Sequence, residues 1–484
     1  MGVPHSEVVI IGGGLAGLTC AVTLADRGVP VSLFESRPRL GGRASSFEDK
    51  QSQQLIDNCQ HVSMGCCDEF NRFCETVGIA DSFRREKKLY FIGPRNSGPN
   101  GIGKQFKLNS FSANPFLPTP LHLLPAFGGL SYLSVSEKIG LARGLKQLAQ
   151  TPLDLNNEPT IAAWLADQGQ SQNAIDRFWN VVLVSALSES LERISLSHAR
   201  KVFVDGFLRT RNGWQVLIPT VPLDRLYGEV ILKRLEKQQA EVHLQTGVER
   251  VQITDGKVTG VQLRDGQEIS CERVVLAVPH QRVLALLPDA FAGRGSLAKI
   301  EQIESAPITS VHLWFDREIT ELPHAVFVDC LSQWMFNRSR IMRQPADEGF
   351  YYQIVISASH NLTGETRQGR TQSEIIAEVI EELSRIWPET TQAQLIHSRM
   401  VTEHQAVFSV KPGIEQLRPS QRTDVAGLYL AGDWTATGWP ATMEGAVRSG
   451  LLAAEFLLDD VGQPESLLLS PTKTSILSKI LFGL

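Results

Sequence analysis

Val8-Val-Ile-Ile-Gly-Gly-Gly-Leu-Ala-Gly-Leu-Thr19 is the stretch that decides the fold. Its apolar run, Val8 to Ile11, has the character of a buried parallel strand. The run breaks at Gly12-x-Gly14-x-x-Gly17 and resumes as a helix, with Leu18, Val22 and Ala25 at helical spacing. Gly12 permits a tight turn, Gly14 lets the backbone approach a pyrophosphate, and Gly17 lets the helix pack on the strand. The helix start, with Leu15 and Ala16, offers free N–H groups and a positive dipole end to phosphate. A second strand, Val29 to Glu35, ends in an acid 18 residues beyond Gly17. A carboxylate there accepts a ribose hydroxyl of an adenosine, and Ser36 follows it at the same strand end.

The next segment, Arg37-Pro-Arg-Leu-Gly41-Gly42-Arg43, replaces the continued winding expected of a nicotinamide dehydrogenase. A glycine pair allows close backbone approach, and Arg43 supplies charge for a pyrophosphate. Here the chain resembles the amine oxidase and phytoene desaturase superfamily of flavoproteins. The resemblance implies that Gly41, Gly42 and Arg43 contact FAD.

The whole chain sets bounds on this reading. At 484 residues it is too long for one core, so two domains are expected. Hydrophobic content of 42% and charged content of 20% describe a globular protein, and a net charge of −5 gives no reason to expect nucleic acid. No run of about 18 apolar residues exists, and no basic-then-apolar leader precedes the first strand. The expected location is therefore cytoplasmic, with room for peripheral attachment to the inner face of a membrane. Seven scattered cysteines argue against a disulfide framework. Cys59, Cys66, Cys67 and Cys74 match no common metal spacing, so no metal site is expected and they read as buried thiols.

Downstream, Asp57-Asn-Cys-Gln-His61 combines an acid, an amide and a histidine between apolar flanks. In the superfamily this segment passes near the isoalloxazine. Asp57 and His61 are the candidate proton donors, a buried pair of titratable groups being tunable toward neutral pH. The alternative for His61 is that it satisfies a backbone carbonyl. Residues 68–79 read as a helix, and Pro94 to Lys107 as a polar connection. Ser134-Val-Ser-Glu137 is a capping box opening a helix to Gln150, with Val135, Ile139, Ala142 and Leu145 on one face. The apolar excess over 116–148 fits either packed core or the rim of a tunnel for a greasy substrate. Thr160, Ser171 and Ser197 mark further helix starts, the second leading into the apolar Phe178 to Leu187. From Gly213 the chain re-enters the cofactor domain through short strands separated by Asp255-Gly and Asp265-Gly turns. By resemblance, Val248 contacts adenine through its backbone. Ile308 to Phe315, Ala325 to Val328 and Phe350 to Ile356 read as antiparallel strands, with a helix at Ser373 to Ile386.

A second cofactor signature lies more than 400 residues from the first: Ala431-Gly432-Asp433-Trp-Thr-Ala-Thr-Gly-Trp-Pro-Ala-Thr442-Met443-Glu444-Gly-Ala446. Asp433 is placed to accept a ribityl hydroxyl. The helix starting near Thr442 points its dipole at the flavin ring, where negative charge builds up on reduction. Thr442, Met443, Glu444 and Ala446 form that helix start. Glu444 suits either catalysis or stabilisation of the helix start. The tail, Ser466 to Leu484, carries Ile476, Leu477, Ile480 and Leu481 with Lys473 and Lys479. It suits either a membrane surface or docking on the body.

Asp57 to His61, Phe178 to Leu187 and Ala431 to Gly450 together resemble the squalene-associated FAD-dependent desaturases, understood as hydroxysqualene dehydroxylases of squalene and hopanoid biosynthesis. That family usually has glycine at the place of Cys59. The resemblance implies an α/β fold, with a discontinuous Rossmann-like FAD-binding domain (1–80, 207–290, 420–460). A second, α+β substrate domain of antiparallel sheet and helices (81–206, 291–419) and an amphipathic tail (461–484) complete the chain. It further implies reductive removal of an allylic hydroxyl from hydroxysqualene, a lipophilic isoprenoid, with an unidentified electron donor. The alternatives are a carotenoid desaturase, a flavin amine oxidase, and a non-catalytic FAD-binding membrane scaffold.

Overall fold

Val8 to Ile11 can be buried on both faces because parallel neighbours pair with it on either side. In the computed structural model, which describes residues 5–95, 106–345, 349–362, 370–470 and 472–484, the strand His5–Ile11 lies between Val31–Phe34 and Glu268–Leu276. Glu241–His243 extends this sheet on one side, and Lys257–Leu263 and Val248–Thr254 on the other. The strand Leu428–Leu430 pairs in parallel with the second half of Glu268–Leu276, through Val274↔Leu428 and Leu276↔Leu430. Four parallel strands therefore end side by side. Their carboxyl ends are bonded by Gly12 N–H to Phe34 O (2.8 Å), Ala277 N–H to Ile11 O (2.8 Å) and Ala431 N–H to Leu276 O (3.0 Å). A ligand binds at such convergent strand ends in α/β sheets.

The helix Leu15–Ala25 is buried along its whole length. On one side Gly17 sits where a Cβ would come within 2.0 Å of Gly12 O. On the other, Gly450 of the helix Met443–Asp460 takes the place of a Cβ that would meet Ala16 O at 2.4 Å. Two glycines from opposite ends of the sequence thus bring both signature helices into backbone contact.

A second seven-stranded sheet runs in the order Leu395–Phe408, Ser305–Phe315, Phe350–Ile356, Trp334–Asn337, His324–Phe327, Leu89–Pro94, Phe106–Phe111. Val311, Leu313, Phe315, Tyr352, Ile354 and Ile356 face the helix Gln372–Ile386, which answers with Ile375, Val379 and Leu383. The expected capping box is present at Ser134, and a second opens the helix Gln372–Ile386 at Thr371. Most of the polar stretch expected over Pro94 to Lys107, residues 96–105, lies outside the described residues.

The helix Val135–Gln150 turns a different face inward from the one its β-branched residues suggest. Leu141, Gly144, Leu148 and Ala149 are buried, while Val135, Ile139 and Ala142 are exposed. Gly144 makes the difference, because a Cβ there would meet Gln170 Nε2 at 2.9 Å and Trp179 Cζ2 at 3.1 Å. The dent admits Trp179, and the neighbouring stripe is left in solvent. Among the described residues no helix is long and apolar enough to cross a membrane, no His, Cys, Asp or Glu group is arranged to hold a metal, and all seven cysteines are free.

Two buried polar contacts tie distant segments of the chain together. Arg338, fully buried, donates to Asp57 Oδ2 (3.1 Å), Gln60 Oε1 (2.9 Å) and Pro219 O (3.1 Å). Glu444 accepts from Phe70 N–H (2.8 Å) and Glu69 N–H (3.4 Å), and so caps the helix Asp68–Val77 as well as starting its own. Burial pushes its pKa up to about 7. The folded protein then holds a proton that the unfolded chain releases, so stability falls as pH rises from about 4.5 through about 7. Glu444→Gln should remove about 3 kcal/mol of that pH dependence, seen as a smaller loss of Tm between acidic and mildly alkaline buffer. Arg338→Met leaves the Asp57 charge buried and unpaired, and should cost about 3–5 kcal/mol in urea unfolding. The Asp57→Asn/Arg338→Met double variant should recover part of that loss.

Candidate functional site: two glycine loops and a polar roof

The two N-terminal glycine segments, read separately in the sequence, touch in space. Gly41 N–H donates to Gly13 O (2.8 Å), and a Cβ on Gly42 would sit 3.0 Å from Gly14 Cα. Gly14 itself has open space before it, since an added Cβ would meet only Gly42 Cα, at 3.9 Å. No protein atom requires glycine there, whereas a pyrophosphate lying against the backbone does. The first-turn amides of Leu15, Ala16 and Gly17 adjoin that space as the orphan donors of a helix start. The cradle fits a dinucleotide.

Glu35 occupies the end of its strand as expected. Its Oε2 accepts from Gly13 N–H (2.8 Å) and its Oε1 from Arg37 N–H (2.8 Å), with the exposed Ser36 hydroxyl 3.3 Å from Oε1. Each oxygen keeps a further lone pair for a ribose hydroxyl. At Gly13, the unremarked member of the triplet, a Cβ would come within 2.5 Å of Leu40 Cδ2, so the Leu40 side chain would have to shift. The backbone pair Thr246 N–H to Glu35 O (2.9 Å) brings the start of Val248–Thr254 beside this acid, which places Val248 at the same end of the sheet.

The distant signature arrives along Leu428–Leu430. Gly432 has φ +155° and the Trp434 indole folded within 2.2 Å of where its Cβ would lie, so only glycine makes this turn. Ser449 Oγ accepts its N–H at 2.8 Å. Thr442 caps the helix Met443–Asp460 by accepting from Gly445 N–H (3.1 Å), and Met443 Sδ lies 3.5 Å from the Tyr227 hydroxyl. With Ala446 one turn in, this puts a helix N-terminus beside the glycine cradle, as the flavin reading requires. The buried Glu444 is committed to the amides of the neighbouring helix, in line with a helix-start role and not with catalysis.

Two expected roles are corrected, those of Asp57 and His61. Arg43, assigned to a pyrophosphate, pairs with Asp433 Oδ1 and donates to Ala406 O (2.8 Å). Asp433 accordingly spends one carboxylate oxygen on Arg43 before any ribityl hydroxyl. The pair sets the partly exposed Arg43 against the buried Asp433 carboxylate. Asp57 is not placed as an acid: Oδ1 accepts from Ser46 Oγ (2.7 Å) and Leu223 N–H (2.9 Å), and Oδ2 from Arg338. Every one of those bonds needs the ionised carboxylate or a lone pair, so the group anchors the chain. His61 gives its Nδ1–H to Cys59 O (3.0 Å), and burial lowers its pKa below the ordinary histidine value. It stays neutral near pH 7 and is an acceptor at Nε2, not a proton donor.

Arg418 was not anticipated. It lies buried against the Phe408 ring (4.7 Å) and binds Asp433 O (3.0 Å), Thr435 O (2.5 Å) and Thr437 Oγ1 (2.9 Å), so that it holds the whole loop after Gly432. Nothing local in the sequence marks it. His280, directly after the strand-ending Pro279, lines a small cleft with Arg43, Asp433, Trp434 and Phe408. The inner face of the second sheet carries a further surprise. Ser310, His312 and Trp314 alternate with the helix-facing Val311, Leu313 and Phe315. Their neighbours on the adjacent strand are Tyr351 and Gln353. Gln353 Nε2 donates to Ser310 Oγ (3.0 Å), the Tyr351 hydroxyl meets His312 Nδ1 (2.7 Å), and Gln353 Oε1 is buried without a partner among the described residues. Cys59, its thiol pushed up to about 12 by burial, lies against Ser310. The helical part of the core also carries a run of aromatic side chains. Phe127, Phe178, Phe203 and Phe207 follow one another at ring separations of 5.7, 5.7 and 6.0 Å.

The profile of the flavin containing amine oxidoreductases matches residues 15–458. The chain is 26% identical over 476 residues to the 15-cis-phytoene desaturase of Solanum lycopersicum, covering 94% of this chain and 78% of the relative. It is 25% identical to a probable zeta-carotene desaturase of Synechococcus elongatus, covering 94% and 98%. Among solved structures, cyclohexylamine oxidase from Brevibacterium oxydans superposes with a TM-score of 0.67 at 18% identity over 95% of this chain and 100% of that one. An oxidoreductase from Methanosarcina mazei reaches 0.70 at 16% identity, over 94% and 100%. The matched span takes in Gly41, Gly42, the Asp433 loop and the whole second sheet; the chain belongs to the flavin containing amine oxidoreductase family and is an FAD-dependent oxidoreductase.

Proposed function

We propose that the enzyme moves hydride between its flavin and a long isoprenoid hydrocarbon, as a desaturase of the carotenoid type. The observation that carries this reading is the extent of the likeness to phytoene and zeta-carotene desaturases. It spans 94% of the chain, the second sheet and the aromatic ladder included, and not the FAD-binding strands alone. When bound, FAD supplies the hydride-accepting or hydride-donating centre. This chain's residues hold the dinucleotide against the backbones of Gly14 and Gly42, present Asp433 to its polyol, and set aromatic side chains suited to a hydrocarbon in the second domain. The amine oxidase alternative is disfavoured, because among the described residues the carboxylates of Asp57, Glu444 and Asp433 are already engaged and not free for an ammonium group.

A second reading, reductive dehydroxylation of hydroxysqualene, has one specific observation in its favour. A pure hydrocarbon leaves Gln353 Oε1 unsatisfied beside Ser310, which costs about 1–3 kcal/mol. A substrate hydroxyl satisfies it. With Asp57 and His61 unsuited to donating a proton, the Tyr351–His312 pair and the Cys59 thiol are the neutral donors on that face.

One anaerobic experiment separates the two. With the oxidised holoenzyme, phytoene should bleach the flavin absorbance and yield a more conjugated polyene. With the reduced holoenzyme, hydroxysqualene restoring the oxidised spectrum and releasing squalene would transfer the assignment to dehydroxylation. A flavin spectrum unmoved by both sinks the isoprenoid proposal and leaves the scaffold reading. Cofactor seating is checked independently with Gly14→Val, which fills the space before the helix start. That variant should fold by circular dichroism but bind FAD at least about tenfold more weakly, through lost phosphate contacts.

A further inference from the structure

After Phe408 the chain leaves the second sheet and crosses to Leu428–Leu430 of the cofactor sheet, and this crossing carries a buried cation. Arg418 Nη2 donates to Asp433 O (3.0 Å), Thr435 O (2.5 Å) and Thr437 Oγ1 (2.9 Å). Asp433, Thr435 and Thr437 are all buried, so two backbone carbonyls away from water take a hydrogen from one side chain. The same crossing adds Gln421 Nε2, which donates to Thr435 Oγ1 (2.9 Å) and Ala436 O (3.2 Å), and Pro419 O, which accepts from Ala436 N–H (2.8 Å). Asp433 is thereby gripped at both ends, its carboxylate by Arg43 and its carbonyl by Arg418.

A long side chain needs its own supports to hold such a position. The guanidinium lies 4.7 Å from the centre of the Phe408 ring, and Nη1 donates to Glu415 Oε1 (2.5 Å). Burial acts to raise the pKa of Glu415, but the bond from His198 and the charge of Arg418 outweigh it and hold the group down at about 2. Glu415 is therefore a carboxylate near neutral pH, and it neutralises the buried arginine.

Glu415 is held in turn from a different part of the chain. His198 Nε2 lies 3.4 Å from Glu415 Oε1, and Ser195 Oγ lies 2.8 Å from His198 Nδ1. With the serine hydroxyl at Nδ1, a proton sits on Nε2 and faces the carboxylate. Ser195 also caps the helix Leu196–Phe203, and its own N–H reaches Val410 O (2.8 Å) at the start of the crossing. The far end of that helix is fixed by Phe203, stacked on Phe178 at 5.7 Å and edge-on to Trp179 at 4.9 Å.

We infer that Arg418 is a positioning residue for the flavin, with Glu415 and His198 acting through it to keep the loop after Gly432, and hence Asp433, in the geometry that binds FAD. The role concerns how the cofactor is held and is independent of which isoprenoid reaction the site performs.

The test follows FAD release from the diluted holoenzyme by the gain in free-flavin fluorescence, with visible circular dichroism of the bound flavin and thermal unfolding recorded on the same samples. Arg418→Lys keeps the charge but loses the planar fork that reaches Glu415 and the loop together. It should weaken FAD binding about tenfold or more and change the visible dichroism. Glu415→Gln should show a smaller loss, about three- to fivefold, and the Arg418→Lys/Glu415→Gln double variant no more than Arg418→Lys alone. Wild-type release and dichroism in Arg418→Lys overturn the inference even if Tm falls, since that is the signature of a brace for the fold alone. Losses that add in the double variant overturn the relay through Glu415. Should Arg418→Lys fail to fold, Glu415→Gln and His198→Gln decide: faster release in both sustains the inference, and unchanged release in both overturns it.

Discussion

The structure depends on how closely backbone can approach backbone at the carboxyl ends of four parallel strands. Gly17 lies on Gly12, Gly42 on Gly14, and Gly450 on Ala16, each at a separation that a single Cβ would forbid. These contacts bring together residues 12–17, 41–43 and 432–450, and they leave one volume, before Gly14, that no side chain fills. Helix starts at Leu15 and Met443 face that region with unpaired amides. An anionic dinucleotide is what such a volume, so surrounded, can hold.

Around it, buried charges do structural work. Arg418 secures the loop after Gly432, Arg43 pairs with Asp433, Arg338 fastens Asp57 and Gln60 to the second sheet, and Glu444 joins two helix starts. Each is an ion or an ionisable group away from water, tolerable only because several donors or acceptors converge on it. The consequence for chemistry is that the carboxylates nearest the site are already occupied. Among the described residues the inner face of the second sheet keeps two buried polar atoms without partners, Gln353 Oε1 and His312 Nε2, beside the bonded Ser310, Tyr351 and Cys59 group.

Much of this was legible from residue order. The glycine triplet with Glu35 at the next strand end, the glycine pair at 41–42, and the Gly432-Asp433 to Thr442 segment encode local backbone geometry, and local spacing is sufficient to read it. The capping box at Ser134 was equally plain, since a hydroxyl and an acid three residues apart act within one turn. Charge partners were not legible. Asp57 reads as a proton donor until Arg338, nearly 300 residues away, is seen to hold it. The helix Val135–Gln150 has two apolar stripes, and its own periodicity does not choose between them.

By itself, then, the sequence determined the nucleotide-binding architecture, the flavin and the pairing of two remote signatures, because each rests on steric rules confined to a few neighbouring residues. Only the tertiary structure decided which carboxylates are spent and which apolar stripe faces out. It also decided that a lone amide oxygen waits on the roof of the interior. Those outcomes depend on which distant groups arrive in the same low-dielectric space, and on the shape of the surface that a glycine such as Gly144 leaves for a neighbour to fill.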